Sequence, residues 1–158
     1  ETAWLESSGL DLADGVVCDT RLRALAGGRP RPDVVAAGDV ARWPHPAHRE
    51  PVRIEHWTNA VEQGEAAART LLLGDEAEPF GPVPYFWSDQ HGIKIQFVGR
   101  TVEGDQSVVV DGTPGHGRWA VAFGRDGKLV AGLGFGRPAK VAGLQRAIAS
   151  GEPFPPSQ

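Results

Sequence analysis

The chain has 158 residues, 41% hydrophobic and 23% charged, the proportions of a soluble globular protein long enough for one domain or two small ones. Its formal net charge of −4 argues against general binding to nucleic acid, which needs a basic field. No apolar run reaches the length of a membrane span and no secretory signal opens the chain, while the single cysteine, Cys18, excludes an internal disulfide and fits a reducing compartment.

The chain opens without Met, and Glu1 to Gly9 reads as the tail of a helix ending at Gly9, so a longer parent protein is expected. After an Asp14-Gly15 turn, the apolar run Gly15 to Asp19 is a predicted strand. A Gly- and Pro-rich connection, Arg21 to Pro32, then carries Arg21, Arg23, Arg29 and Arg31, which read as a solvated loop before they read as a docking patch. From Val34 to Ala41 the chain is apolar except at Gly38-Asp39. That pattern predicts a buried parallel strand whose carboxyl end opens into a crevice, where ligands sit in open α/β sheets. Gly38 would allow close backbone approach there, and the Asp39 carboxylate would accept hydrogen bonds from ligand hydroxyls. An Asp in a turn or at a helix N-cap is the plainer alternative.

Trp43 to Pro51 is a Pro-rich loop in which His45 and His48 have a metal-ligand spacing. No cysteine or second histidine pair supports them, so no metal site is expected. One helix is predicted from Arg53 to Leu73, ended by Gly74. Its small residues Ala60, Gly64, Ala67 and Ala68 would let another backbone approach, with Leu71 and Leu72 adding bulk at the far end. A first turn holding Trp57, Thr58 and Asn59 suits a ligand with polar or anionic atoms. On this stretch alone, an ordinary packing helix with a solvated first turn is the favoured alternative.

The acidic, Pro-containing segment Asp75 to Pro84 reads as a linker and divides residues 1–76 from 77–158. Beyond it the period changes to two. Ile93, Ile95 and Phe97 alternate with Lys94, Gln96 and Val98, Val108 to Val110 follow, and Trp119, Val121 and Phe123 alternate again. Arg125-Asp126-Gly127-Lys128 is a hairpin signal leading to Leu129, Ala131, Leu133 and Phe135 on one face. Pro138 opens a helix carrying Val141, Leu144 and Ile148 as its buried stripe, with Gly151 as its end. The second part is thus an antiparallel sheet plus one helix, an α+β unit. Gly132, Gly134 and Gly136 do not meet the G-x-G-x-x-G spacing and are expected to mark a face closely covered by another backbone. His116 reads as a loop residue, and no catalytic acid, base or nucleophile can be picked out.

Three segments in order are more specific: Val35 to Ala41 with its Gly38-Asp39, Glu55-His56-Trp57-Thr58-Asn59-Ala60-Val61-Glu62-Gln63-Gly64, and Pro84-Tyr85-Phe86-Trp87-Ser88-Asp89-Gln90. Together they resemble the FAD-dependent ferredoxin and rubredoxin reductases, glutathione-reductase-like flavoproteins that serve dioxygenase and cytochrome P450 systems, over nearly the whole chain. The resemblance implies the α/β remnant of an FAD-binding, Rossmann-like domain followed by the family's α+β C-terminal domain. It also implies an enzyme passing electrons from NAD(P)H through FAD to a ferredoxin- or rubredoxin-like iron–sulfur protein; the soluble composition and lone cysteine fit the cytoplasm. Residue by residue, Asp39 matches the family's acidic residue at the ribityl chain, with Gly38 giving it room. His56 and Trp57 match the helix start aimed at the flavin's pyrimidine end. Trp87 matches the aromatic beside the isoalloxazine, for which a plain core aromatic is the alternative.

The family's G-x-G-x-x-G loops for the flavin pyrophosphate and for NAD(P)H are not found in these residues. Such a piece is expected to hold FAD weakly and to be inactive alone. The second functional reading is a non-catalytic interaction or dimerisation module, whose unpartnered small-residue helix invites self-association.

Overall fold

The computed structural model describes residues 2–48 and 50–156; Glu1 of the opening segment and Arg49 of the histidine loop lie outside the described residues. The chain divides into two units, Glu1–Gly81 and Pro82–Gln158.

The opening segment is not a helix tail but a single 3₁₀ turn, Ala3–Leu5. The Ser8 hydroxyl donates to the Leu5 carbonyl at 2.6 Å and accepts the Leu10 N–H at 3.2 Å, taking up groups that a continuing helix would use. The predicted strand is present as β1 (Val16–Val17). It runs parallel to β4 (Ala41–Trp43), which pairs antiparallel with β5 (Val52–Arg53).

The arginine-rich stretch departs from expectation. It forms a hairpin of β2 (Arg23–Ala26) and β3 (Arg29–Val35). Gly27 and Gly28 have φ of +58° and +75°, as a tight primed turn requires, and both their N–H groups bond the Asp11 carboxylate. Arg23 is held between Asp19 and Asp75, each at 2.7 Å, and so is not a loosely solvated loop residue.

The predicted buried parallel strand over Val34 to Ala41 is also corrected. β3 ends at Val35 and is antiparallel, and Gly38–Val40 form a 3₁₀ turn that leads into β4. Gly38 has φ of +76°, which breaks any strand at this point. Gly38-Asp39 therefore lie in the turn that joins the antiparallel β3 to β4, not at the end of a buried parallel strand.

The long helix, α1, spans Trp57–Leu73, starting after the expected Arg53 because Val52 and Arg53 are spent on β5. His56 is its extended N-cap residue, and the N–H of Gly74 closes it on the Thr70 carbonyl. Its buried face is Asn59, Gln63, Ala67 and Thr70, which is mostly polar. Of the small residues, Ala67 is buried and Ala60 half-buried, whereas Gly64 and Ala68 are exposed. Leu71 and Leu72 face solvent, Leu72 at 83% exposure.

Each polar residue of the buried face bonds a backbone atom of a different segment. Asn59 Nδ2 donates to the Ile54 carbonyl at 3.0 Å, and Thr70 Oγ1 to the Arg21 carbonyl at 2.8 Å. The Gln63 carbonyl accepts the Gly38 N–H at 2.7 Å. The apolar core beside this helix holds Val16, Leu22, Ala24, Ala41, Trp43 and Val52. Trp43 is fully buried against Phe80, and its indole N–H donates to the Phe80 carbonyl at 3.2 Å. Ala77 and Phe80 are buried, so the acidic segment is part of the first unit and the division falls after Gly81.

The second unit is the expected α+β arrangement. Its strands are β6 (Tyr85–Gln90), β7 (Ile93–Gly99), β8 (Gln106–Thr113), β9 (His116–Arg125) and β10 (Lys128–Phe135). They form an antiparallel sheet in the order β6-β7-β10-β9-β8. Asp126 and Gly127, at φ of +51° and +72°, make the predicted β9–β10 turn. His116 opens β9 rather than lying in a loop. Helix α2 (Pro138–Ser150) starts on Pro138, buries Val141, Leu144 and Ala147, and ends on left-handed Gly151.

A bulge between Leu129 and Ala131 changes the face assignment on β10. Leu129 packs with Val98, Val141 and Leu144 under α2, while Leu133 and Phe135 lie on the opposite face. Gly132 and Gly134 are covered by α2 side chains rather than by another backbone. A Cβ on Gly132 would stand 2.6 Å from Leu144 Cδ1, and Val141 fills the space over Gly134. Among the described residues no helix is long and apolar enough to cross a membrane.

Candidate functional site

Within the first unit, the structure brings Gly38, Asp39, His56 and the start of α1 together. Gly38 is buried, and a Cβ on it would lie 3.3 Å from the Ala60 Cβ, so the turn sits directly on the helix. Asp39 follows with its side chain exposed. The Arg53 guanidinium donates to the Asp39 carbonyl at 3.1 Å, to the Asp14 carboxylate at 3.1 Å, and to Glu55. These groups surround a polar cleft of about 460 Å³ lined by Gly15, Asp39, Val40, Arg53 and Glu55 among others.

His56 is half-buried at the N-cap of α1. Burial pushes its pKa below the ordinary 6.5, and the negative charge of Asp39 offsets part of that shift. The imidazole is therefore neutral at pH 7. Trp57, the first residue of α1, is 74% exposed. An exposed carboxylate beside the positive end of a helix can accept from hydroxyls while helix N–H groups meet an electron-rich edge. The site holds an acceptor, helix donors and a neutral imidazole, but no activated nucleophile.

Trp87 belongs to the second unit. It stands on the edge strand β6, 39% exposed, with its ring stacked on Tyr85 at 5.8 Å and 22° and the Lys94 ammonium 5.9 Å from its centroid. Its register partner is Gln96, whose Nε2 donates to the Tyr85 hydroxyl at 2.9 Å. A large half-exposed indole held on an edge strand presents a flat apolar surface with a cation beside it.

Two other sequence features have structural roles. The His45 and His48 rings lie 4.8 Å apart, with buried His45 edge-on to Trp43 and accepting the Ala47 N–H at Nδ1. Among the described residues no group of three or more His, Cys, Asp or Glu could hold a metal ion. Cys18 is 1% exposed, donates to the Val16 carbonyl, and has its pKa pushed up to about 12, chiefly by burial. Sequence reasoning missed Gln63 and Arg53. A search for apolar periodicity overlooks a buried face made of Asn59, Gln63 and Thr70, although their i, i+4 and i+11 spacing was visible.

Residues 85–158 match the family model described as Reductase C-terminal. The curated proteins this chain resembles are named as ferredoxin reductases. The chain is 32% identical over 154 residues to the anthranilate 1,2-dioxygenase system ferredoxin–NAD(+) reductase component of Burkholderia cepacia, covering 97% of this chain and 36% of that protein. It is 36% identical over 132 residues to a ferredoxin–NAD(P)(+) reductase of a Sphingomonas species, covering 78% of this chain and 28% of that one. Among solved structures, Fdr9 matches with a TM-score of 0.77 at 40% identity, over 95% of this chain and 38% of that chain. A chain of the covalent putidaredoxin reductase–putidaredoxin complex matches with a TM-score of 0.82 at 25% identity, over 96% and 34%. The chain spans about a third of the length of these relatives.

Proposed function

We propose that this chain is the flavin-facing portion of an FAD-dependent NAD(P)H:ferredoxin or rubredoxin oxidoreductase. The observation that carries the proposal is the exposed Asp39 carboxylate on a turn seated against the first turns of α1, beside a polar cleft. The names of the relatives, ferredoxin reductases acting with NAD(+) or NAD(P)(+), support the same activity. The first unit, with the boundary moved from residue 76 to Gly81, would then be the remnant of a Rossmann-like FAD-binding domain and the second unit the reductase C-terminal domain.

The donor set suits a flavin. A ribityl chain offers hydroxyl donors, and Asp39 is an exposed acceptor; a pyrimidine edge offers acceptors, and the start of α1 offers N–H donors. When bound, FAD supplies the hydride and single-electron chemistry. This chain's residues bind and orient. Asp39 holds ribityl hydroxyls, with Gly38 giving room. His56 and Trp57 border the polar ring edge, where the helix end stabilises negative charge. By the same resemblance, Trp87 of the second unit would be the aromatic that faces the isoalloxazine. The partner is a soluble iron–sulfur protein of the ferredoxin or rubredoxin type, and the setting is cytoplasmic.

No pyrophosphate-binding G-x-G-x-x-G loop occurs in the 158 residues, so the chain alone should bind FAD weakly and accept no hydride from NAD(P)H. Titration with FAD and with riboflavin tests the reading. Riboflavin has the ribityl chain and ring without the pyrophosphate, so the two ligands should bind about equally, within roughly threefold, if only ribityl and ring contacts are made. Absence of binding by either would sink the proposal. A second reading, a self-associating module without catalysis, is favoured by the exposure of Trp57, Val61 and Leu72 on α1 at 74%, 44% and 83%. A concentration-dependent sedimentation coefficient with no flavin bound would support it.

A further inference from the structure

We infer that Gln63 is the positioning residue of this site: its buried side-chain carbonyl, by accepting the Gly38 N–H, fixes the turn that presents Asp39. Gln63 is 0% exposed and lies two helical turns into α1 from His56. Its Oε1 meets the Gly38 nitrogen at 2.7 Å, joining residues 25 apart in sequence. Gly38 itself is buried in a left-handed conformation, so its N–H has no access to solvent as an alternative acceptor.

The other end of the amide makes the assignment specific. Gln63 Nε2 is buried and has no hydrogen-bond partner among the described residues. A buried amide with one end unmatched is costly, and Met or Leu would fill the same space without that cost. What Gln63 does that they cannot is take the Gly38 N–H. Thr70 provides the internal comparison: on the same face, its hydroxyl bonds the Arg21 carbonyl, far along the helix from the turn. Gln63 therefore acts through Gly38 and Asp39, without itself touching a ligand. The consequence for flavin affinity rests on the proposed function; the consequence for the turn does not.

The test compares Gln63→Met with Thr70→Val in the 158-residue chain, reading Gly38 amide exchange by NMR and riboflavin affinity by titration. Gln63→Met should speed Gly38 exchange and weaken riboflavin binding, each by about tenfold, the equivalent of one hydrogen bond. Thr70→Val should lower the melting temperature comparably while leaving both readouts within about twofold. If Gln63→Met does not fold, Gln63→Asn, which draws the carbonyl back by one methylene, gives the same contrast in milder form. Unchanged Gly38 exchange in the Gln63 variant, or equal losses in both variants, overturns the inference. Faster exchange with unaltered riboflavin affinity overturns it as a ligand-positioning role. If the wild-type chain binds no flavin, the proposed function falls, and the exchange contrast alone decides whether Gln63 sets the turn.

Discussion

A Cβ built on Gly38 would stand 3.3 Å from the Cβ of Ala60, and Gly38 holds φ at +76°. Both facts oppose a side chain at this position. Gly38→Ala should cost roughly 1–2 kcal/mol, through left-handed strain and crowding against α1. Gly64, four residues after Ala60, is exposed with nothing near its missing Cβ. Gly64→Ala should therefore stabilise the helix by about 0.5–1 kcal/mol. Thermal melts of the two variants should move in opposite directions.

His56 sets a pH dependence near neutrality. Its folded pKa lies below the ordinary 6.5, so the unfolded chain binds more protons between those two values. The stability contributed by the neutral imidazole is present above 6.5 and lost as pH falls through that window. His56→Gln should flatten the loss. Asp39→Asn removes the charge that partly supports the imidazolium, so it should move the His56 titration further down in pH. An unshifted histidine NMR titration in Asp39→Asn would separate the two residues electrostatically.

In the second unit, the Asp105 side chain is 3% exposed and takes two bonds from the Arg125 guanidinium, at 2.6 and 2.7 Å, plus the Val102 N–H at 2.8 Å. These bonds hold its pKa below the ordinary carboxylate value. The stability they provide is present above the unfolded value near 3.8 and lost as pH drops through the folded one. Asp105→Ala should cost on the order of 2 kcal/mol, because Arg125 loses its bidentate partner next to the β9–β10 hairpin. Urea unfolding at pH 7 and pH 3 would read this as a difference that shrinks in acid.

Cys18 should behave as an inert core thiol. With its pKa near 12 and 1% exposure, it should react with a disulfide reagent at pH 8 only when the first unit opens. A labelling rate that follows urea concentration fits this account; rapid labelling in native buffer does not.

Much of the second unit was readable because it is built from local signals. Asp126-Gly127 fixed a hairpin, Pro138 and Gly151 bracketed α2, and alternation marked the strands. The face of Leu133 was misread because a one-residue bulge at β10 reverses the alternation, and nothing in the side-chain pattern reports an extra residue. In the first unit, Val34 to Ala41 looked like one strand because its residues are apolar, yet the left-handed Gly38 divides it. The two glycines of the β2–β3 hairpin were visible, but Pro30 and Pro32 disguised the strand that contains them as a loop. Asp39 and His56 were picked out by motif resemblance, and the structure puts them close enough for the charge of one to act on the other. Gln63 was not picked out, because its role is a single bond to a backbone 25 residues away.

The measurement that addresses the flavin-facing account most directly is an amide chemical-shift map of riboflavin on the ¹⁵N-labelled chain, repeated with Asp39→Ala. The account predicts shifts at Gly38, Asp39, His56 and Trp57, with the Gly38 and Asp39 shifts lost in the variant. Shifts confined to other surfaces, or a map unaltered by Asp39→Ala, would contradict it.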